Sequence, residues 1–427
     1  MKAGEKNAAL PALLCLCGFF LHILLSGPLL EALGMHYTGD EGRVYEKLHP
    51  GTWLIYASFV LLLWGKGGAF ARATRLFHEY TPYVCLLALY VLLFVYMGVR
   101  SGFAGLAFLV DTHMTVPICA IVLSCAPPPY CRRAAHGFIA LAALNSAIGI
   151  AEGLGKFRLF AFDPQWTILH DPYFRASALL GHPLNNAMFT SVALFVAMGL
   201  GYSRHVKAAL IALFLVSLAA FGGRMGVLTS LAGLGCLAIA EAAKILAQRQ
   251  WSLRQMFLAA ASAIVLPACL AAGGYLILQS GIGERIVTHL QWEESANSRW
   301  IAFSAFGYMT GPEKLFGVSV DRVVDIAYRM NLSASLSDIE NPWLLMIMFL
   351  GWLAFPFWLA VTGAFALRLM RNQPLALKLA VIAYFLTAST SNSFGRKDSI
   401  YLIMVCAVIC VSRMGADMHA GRELPLR

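Results

Sequence analysis

Residues 343–367 read WLLMIMFLGWLAFPFWLAVTGAFAL, a run of 25 residues that contains no charged side chain. An α-helix needs about 20 apolar residues to cross the hydrocarbon core of a bilayer, so this run is long enough to span a membrane. The whole chain has the same character, because 59% of its 427 residues are hydrophobic and only 13% are charged. Its mean hydropathy of +0.70 lies far above that of soluble domains. The sequence therefore predicts a polytopic membrane protein.

The rest of the chain contains eleven more apolar stretches of comparable kind. They lack the alternation of apolar and polar residues that a membrane β-barrel needs, so each is predicted to be a helix. We expect an all-α fold with about twelve transmembrane helices, which form a single transmembrane domain over residues 1–427. The twelve predicted stretches are 9–30, 50–65, 82–99, 105–126, 134–154, 184–202, 206–221, 224–243, 256–278, 343–367, 375–391 and 399–413.

The distribution of basic residues predicts the orientation of the chain. If the N-terminus is cytoplasmic, the inner side collects 18 of the 32 Lys and Arg residues and only five acidic residues, as short cytoplasmic loops do. We therefore expect both termini in the cytoplasm, and the net charge of +10 reflects topology and not nucleic-acid binding. A cleaved signal peptide over residues 1–30 is the rival interpretation, but its apolar run is longer than usual and its loss leaves an odd number of spans.

Two predicted outer segments are long enough to form a site. The first, 155–183, is rich in aromatic residues, and the second, 279–342, is expected to cover the site as a loop with short helices of its own. The first of these helices is predicted to begin at Asn297 or Ser298 and to stop at Gly311-Pro312. The second is predicted to begin at Asp321.

Polar residues beside three predicted spans converge on this outer side. Arg175 and His182 lie in RASALLGHPLNNAMF (175–189), and Arg224 lies in GGRMG (222–226). A guanidinium presents planar donors that suit two oxygens of a phosphate, so two arginines on one face suggest an anion that stays with the membrane, such as a lipid diphosphate. Glu340 and Asn341 precede the tenth span.

Each of these residues also has a plainer interpretation. An Arg at a helix end commonly extends to the lipid headgroups, which applies to Arg224 and Arg175. His182 before a proline and Glu340 before a span can simply cap helices. Asp111 and His113 are costly inside a span, and we expect them to pair or to face a cavity.

The order of these elements resembles the O-antigen ligase and polysaccharide polymerase superfamily of bacterial inner membranes, over roughly residues 170–400. The family carries an Arg and a Gly before a His/Asn-Pro-Asn-like element. Arg175, Gly181 and residues 182–185 are similar to this pattern. The family's short Gly-Arg turn is similar to 223–226. Its outer-loop element of an Arg, an aromatic residue, a Pro and Leu-Phe-Gly resembles Arg299-Trp300 with Pro312 and 315–317. One element departs from the pattern, since Glu340-Asn341 stands where many members carry His-Asn.

The resemblance implies a membrane glycosyltransferase that moves a glycan from an undecaprenyl diphosphate carrier to an acceptor hydroxyl at the periplasmic face. It implies inverting, metal-independent transfer without a cofactor. Arg224 and Arg175 would neutralise the leaving diphosphate and Glu340 would act as general base. The residues predicted to bind substrate are Arg299, His182, Asn341 and Trp300.

The acceptor decides between two activities within this family. Glu340 in place of the ligase-like histidine favours an exopolysaccharide or O-antigen polymerase, and an O-antigen ligase that uses a lipid A core is the alternative. A lipid-linked glycan flippase or a secondary transporter is the second alternative. The resemblance also implies location in the inner membrane and, as partners, the carrier-linked donor, the acceptor, membrane lipids, and a flippase and chain-length regulator of the same pathway.

Overall fold

The computed structural model describes residues 3–37, 43–64, 68–103, 105–159, 174–247, 301–330, 339, 341–390 and 397–420. In this part of the chain every regular element is a helix, which confirms the predicted all-α class. The α-helices are α1 (Ala3–Leu24), α2 (Gly27–Ala32), α3 (Pro50–Leu63), α4 (Ala69–Glu79), α5 (Thr81–Ser101), α6 (Thr115–Ser124), α7 (Pro128–Gly155), α8 (Pro183–Gly199), α9 (Arg204–Ala220), α10 (Arg224–Ala247), α11 (Gly311–Phe316), α12 (Val320–Arg329), α13 (Pro342–Met370), α14 (Leu375–Ala388) and α15 (Ile400–Ala420).

By length and composition, four helices are long and apolar enough to cross a membrane, namely Thr81–Arg100, Pro128–Gly155, Arg224–Lys244 and Pro342–Met370, the last of which is broken at Gly351. Shorter apolar helices accompany them, so the protein has the helical composition of a membrane protein. Eleven of the twelve predicted stretches coincide with described helices, and 256–278 lies outside the described residues. The stretch 9–30 is not one helix, because α1 ends at Leu24 and α2 begins at Gly27.

Successive long helices run in alternating directions between two ends of the bundle. The end that carries Arg175 and Arg224 is called the site end below. Bonds at the site end include Ala176 N to Ala220 O, Arg100 to Phe316 O and Asp398 N to Thr112 Oγ1. Bonds at the opposite end include Tyr80 to Ser124 O, Lys207 to Met198 O, Gln373 to Ser412 and Arg413 to Ala126 O.

Prolines and capping side chains set where the helices of the site end begin. Pro50, Pro183 and Pro342 occupy first-turn positions, where a missing N–H costs nothing. The residues before them, among them His182 and Asn341, accept hydrogen bonds from backbone N–H groups of the first turn. The predicted capping role of His182 is thus confirmed, and the cap of α13 is Asn341.

Helix α13 is broken at Gly351, whose φ of +68° and ψ of 174° are not helical. A Cβ at this position would lie 2.3 Å from Leu315 O, so only glycine allows the segment before α12 to pack here. The indole rings of Trp343 and Trp358 are 5.9 Å apart, although a straight helix would separate these residues by about 22 Å. The apolar run 343–367 therefore forms two helical segments that fold back at a glycine.

The helices of the second outer segment differ in detail from the prediction. A 3₁₀ helix spans Ala302–Tyr308, and the predicted cap residues before it lie outside the described residues. Gly311-Pro312 does not stop a helix but begins α11, because Thr310 caps it with a capping box. The predicted cap Asp321 is also wrong, since Ser319 Oγ accepts the hydrogen bond from Arg322 N.

Candidate functional site

The segment that leads from Arg175 into α8 is shaped by a carboxylate from α7. Glu152 is fully buried, and its Oε2 accepts hydrogen bonds from Ser177 N at 2.7 Å and from Ala178 N at 2.9 Å. Asn145, two turns earlier on the same helix, accepts a third bond from Leu179 N at 3.0 Å. These acceptors hold the backbone in a tight turn, in which Ala178 has a φ of +39°. We call residues 174–182 the Arg175 loop.

The Arg175 loop lies directly against the turn that carries Arg224. Ala176 N donates to Ala220 O at 3.0 Å, so the two backbones run side by side within a few residues of both arginines. Gly222 has a φ of +63°, a conformation that glycine adopts without strain and that allows a tight turn here. A Cβ on Gly223 would lie 2.3 Å from Cβ of Ala187, so glycine is required where this turn packs against α8. Both guanidinium-bearing residues are half-buried.

His182 ends the Arg175 loop and begins α8. Its Nδ1 accepts from Leu184 N at 3.3 Å, and its carbonyl accepts from the Asn186 side chain, which also donates to Ser177 O. The preceding Gly181 has a φ of +69° and packs on Pro28 at the start of α2. The structure therefore sets the backbone beside Arg175 against the turn before Arg224, and His182 ends the same loop at the site end.

Two further cations border the Arg175 loop, and the sequence analysis did not single them out. Arg158 Nε donates to Arg175 O at 3.1 Å. The guanidinium carbon of Arg158 lies 4.7 Å from the centre of the Phe174 ring, and the ammonium of Lys156 lies 5.5 Å from it. Both residues lie in the predicted first outer segment, 155–183, and this position could have identified them as candidate anion-binding residues. A surface with four basic side chains and hydrogen-bond donors can bind a polyanion.

Three predicted site residues lie outside the described residues: Glu340, Arg299 and Trp300. Asn341 is described, and its Oδ1 accepts from Trp343 N and Leu344 N, both at 3.1 Å. This oxygen is thus engaged in capping α13. The neighbouring Trp343 indole donates to Ser389 Oγ at 2.8 Å, which ties the start of α13 to the end of α14.

Asp111 forms a second polar centre at the site end. It lies in a π-helical turn, Leu109–Met114, that the sequence analysis did not predict. Its carboxylate accepts from the hydroxyls of Tyr37 and Thr52 and from His49 N, the last at 3.0 Å. Only 4% of Asp111 is exposed. The expectation that Asp111 pairs inside the protein is confirmed. We call Asp111 and its partners the Asp111 network.

The Asp111 network extends to α1 and to the residue before α15. Thr52 Oγ1 lies 3.1 Å from Nε2 of His22, whose Nδ1 lies 2.8 Å from Ser399 Oγ. The rings of His22 and His49 stack with centres 3.9 Å apart. His49 is neutral, because its Nε2 faces Leu25 O at 2.7 Å while its Nδ1 accepts from Gly51 N. In the described residues, no three His, Cys, Asp or Glu side chains are arranged to hold a metal ion.

Lys397 adds a positive charge at the edge of this network. Its ammonium donates to Tyr37 O and lies 4.3 Å from the centre of the Tyr37 ring. Burial lowers the pKa of Lys397 to about 8, against the attraction of Asp111. His113 packs differently, between the rings of Tyr90 and Phe108. Lys397 comes just before the last predicted span, 399–413.

The fold and the two polar centres define an all-α membrane protein with a cationic surface at one end. No family model matches the chain, and no curated protein matches it. Its function is therefore argued from the residues of this end of the bundle.

Proposed function

We propose that the protein is a polymerase of lipid-linked oligosaccharide repeat units in exopolysaccharide or O-antigen biosynthesis. The observation that supports this proposal is the hydrogen bond from Ala176 N to Ala220 O, which sets the Arg175 loop beside the turn of Arg224. Two arginines fixed by separate elements on one surface suit a diphosphate that remains attached to a lipid. The resemblance in motif order between residues 170 and 400 points to the same donor.

The proposed reaction joins an acceptor hydroxyl to the anomeric carbon of the donor glycan. The acceptor oxygen forms the new bond while the bond from the anomeric carbon to the phosphate oxygen breaks, with inversion. Arg175 and Arg224 stabilise the charge that grows on the undecaprenyl diphosphate, and one fixed donor of this kind contributes about 3–4 kcal/mol. Glu340 takes the hydroxyl proton as general base. The proposal assigns substrate binding to His182, Asn341, Arg299 and Trp300.

The location follows from the predicted orientation. With both termini in the cytoplasm, the site end faces the periplasm and the protein is a multi-pass protein of the inner membrane. Glu340, which stands in place of a ligase-like histidine, is the reason to prefer a polymerase to an O-antigen ligase. The flippase and chain-length regulator of the same pathway are the proposed protein partners.

A flippase or secondary transporter for lipid-linked glycans is the second candidate, and one observation favours it. Helix α13 is broken at Gly351, and transporters commonly bind substrates at broken helices. Here, however, the break is covered by protein backbone, since Val318 N donates to Met348 O at 2.7 Å. We therefore place transport second.

The first experiment measures polysaccharide chain length in a deletion strain complemented with wild type, Arg224→Ala or Glu340→Gln. Arg371→Ala, which removes an exposed arginine at the opposite end, is the matched control. We expect both site variants to lose long chains and to accumulate single lipid-linked repeats, at membrane levels equal to wild type. The fall in polymerisation with Arg224→Ala should be about 100-fold or more.

Other outcomes identify the alternatives. Full-length polymer from both site variants would exclude this mechanism. Normal polymer that is no longer joined to a lipid A core would indicate a ligase. Single repeats that accumulate on the cytoplasmic side of the membrane would indicate a flippase.

A further inference from the structure

Glu152 is a buried carboxylate that the proposed reaction does not use. None of its surface is exposed, and a buried carboxylate is costly unless donors surround it. Within the described part of the chain, its hydrogen-bond donors are backbone N–H groups: Leu159 N at 2.6 Å, Ser177 N at 2.7 Å and Ala178 N at 2.9 Å. The carboxylate of Glu152 thus accepts hydrogen bonds from the main chain of the first outer segment, 155–183.

The three donors come from both sides of that segment. Leu159 follows α7, and Ser177 and Ala178 lie in the Arg175 loop, eighteen residues further along the chain. One carboxylate therefore links the chain that leaves α7 to the chain that leads into α8. Its Oε2 fixes the loop at the second and third residues after Arg175, and its Oε1 accepts from Leu159 N. Charge-assisted bonds of this kind are about twice as strong as neutral ones.

The same stretch of backbone sets the position of Arg175 against Arg224. Ala176, next to Arg175, donates to Ala220 O, and Arg158 donates to Arg175 O. If the hydrogen bonds to Glu152 are lost, Ser177 N and Ala178 N must bond to water instead. The turn with the positive φ at Ala178 then has no protein acceptor from α7 at these two N–H groups. The backbone of Arg175 then moves relative to the turn of Arg224.

We propose that Glu152 is a positioning residue for the anion site: through Ser177 N and Ala178 N it holds the Arg175 loop at the spacing from Arg224 that a diphosphate requires. The inference rests on the proposed function for the identity of the ligand. It goes beyond that function, because Glu152 touches no substrate and acts only through the loop.

The loop position is tested by a cross-link that does not depend on the reaction. Ala176 and Ala220 share a backbone hydrogen bond, so their Cα atoms are close to the about 4.4–6.8 Å that a disulfide spans. Ala176→Cys and Ala220→Cys are introduced together, oxidised with copper phenanthroline, and the cross-linked peptide is quantified by mass spectrometry. The pair is compared in wild-type, Glu152→Gln, Glu152→Ala and Glu241→Gln backgrounds, since Glu241 is an exposed carboxylate of α10.

We expect the cross-linking rate to fall at least fivefold in both Glu152 variants and to stay unchanged with Glu241→Gln. Glutamine keeps the size of the side chain but loses its charge, and its NH2 group replaces one of the two acceptor oxygens, so it cannot satisfy all three N–H donors. A loss in Glu152→Gln is therefore due to the lost charge and acceptor and not to lost volume. Equal cross-linking in all backgrounds would overturn the proposal. Unfolding temperatures and membrane levels show whether each variant is folded, and Glu152→Gln serves if Glu152→Ala is not.

Binding of inorganic pyrophosphate to the purified protein tests the ligand. Isothermal titration should show at least tenfold weaker binding for Glu152→Gln than for wild type, and a similar loss for Arg175→Ala. Wild-type affinity in Glu152→Gln would overturn the positioning role even if cross-linking falls. No binding by wild type would instead count against the proposed diphosphate site, while the cross-link still decides whether Glu152 sets the loop.

Discussion

Two of the buried carboxylates at the site end, Asp111 and Glu152, are satisfied in different ways. Asp111 accepts from two hydroxyls and one backbone N–H, which belong to the segment before α3 and to α3 itself. In the described residues, Glu152 accepts from backbone N–H groups of one outer segment. Both side chains are almost fully buried, so the difference lies in their donors and not in their depth.

This difference separates a group that joins helices from a group that shapes a loop. Side-chain donors fix the helices that carry them, so the Asp111 network ties α1, α3, the π turn and the start of α15 to one another. Backbone donors fix the main-chain path, so Glu152 determines where Arg175 lies. We expect changes in the Asp111 network to affect mainly stability, and changes around the Arg175 loop to affect mainly activity.

The largest expected effect on stability comes from Asp111→Ala. It leaves the hydroxyls of Tyr37 and Thr52 and the N–H of His49 without their acceptor. Each unsatisfied buried donor costs about 1–3 kcal/mol, so we expect a loss of about 3 kcal/mol or more in the free energy of unfolding. The unfolding temperature in detergent is the measurement.

Two other variants calibrate this result. Asp321→Asn changes an exposed carboxylate and should alter stability by no more than about 0.5 kcal/mol. Glu152→Ala should cost less than Asp111→Ala, because Leu159 is exposed and its N–H can bond to water. If Glu152→Ala destabilises the protein as much as Asp111→Ala, the two carboxylates do not differ as argued.

A smaller effect is expected at the turn of Arg224. In Gly223→Ala the new Cβ meets Cβ of Ala187 at 2.3 Å, and overpacking of this kind costs about 1–3 kcal/mol. The turn must move away from α8 and takes Arg224 with it. Polysaccharide chains should therefore shorten although the arginine is still present.

Gly201→Ala is the control for this change, because nothing lies within 4 Å of a Cβ at that position. It should leave both the unfolding temperature and the chain length unchanged. A normal chain length in Gly223→Ala, with the protein destabilised as expected, would show that the exact position of this turn does not matter to the activity.

The smallest effect is a pH dependence from Lys397. Burial lowers its pKa from 10.5 to about 8, while Asp111 and Glu31 raise it and Lys47 lowers it. Between these two values the unfolded chain binds a proton that the folded protein does not, so the free energy of unfolding rises with pH in this window. In Lys397→Met the rise should be absent. Unfolding temperatures of both proteins from about pH 7 to about pH 10 provide the measurement.

The difference between the two curves isolates Lys397 from the other groups that titrate in the same range. Wild type should gain stability relative to Lys397→Met as the pH rises above about 8. Parallel curves would mean that Lys397 keeps an ordinary pKa in the folded protein, and that the Asp111 network reaches the solvent more than its burial indicates.

Much of the helical framework could be predicted from local sequence. Eleven of the twelve predicted apolar stretches coincide with described helices, and His182 before Pro183 indicated the start of α8, because hydropathy and capping depend on neighbouring residues. The π turn at Asp111 and the break at Gly351 could not be predicted. Both depend on distant partners, Tyr37 and Thr52 in the first case and Leu315 in the second.

The candidate site divides in the same way. Arg175 and Arg224 were found from the sequence, since charges beside apolar spans are conspicuous. Glu152 was not found, because a single acid near the end of a predicted helix looks like any exposed residue until its burial is known. The position of Lys397 over the Tyr37 ring could not be predicted, because these two residues are 360 positions apart in the chain.

The sequence by itself determined that this protein is rich in apolar helices, with Arg175 and Arg224 close to helix ends. That result follows from the cost of placing polar groups in hydrocarbon, which acts on each segment separately. Only the tertiary structure decided which turns meet, which acids are buried and where α13 breaks. Those features depend on hydrogen bonds and close contacts between segments far apart in the chain, and no local pattern of residues specifies them.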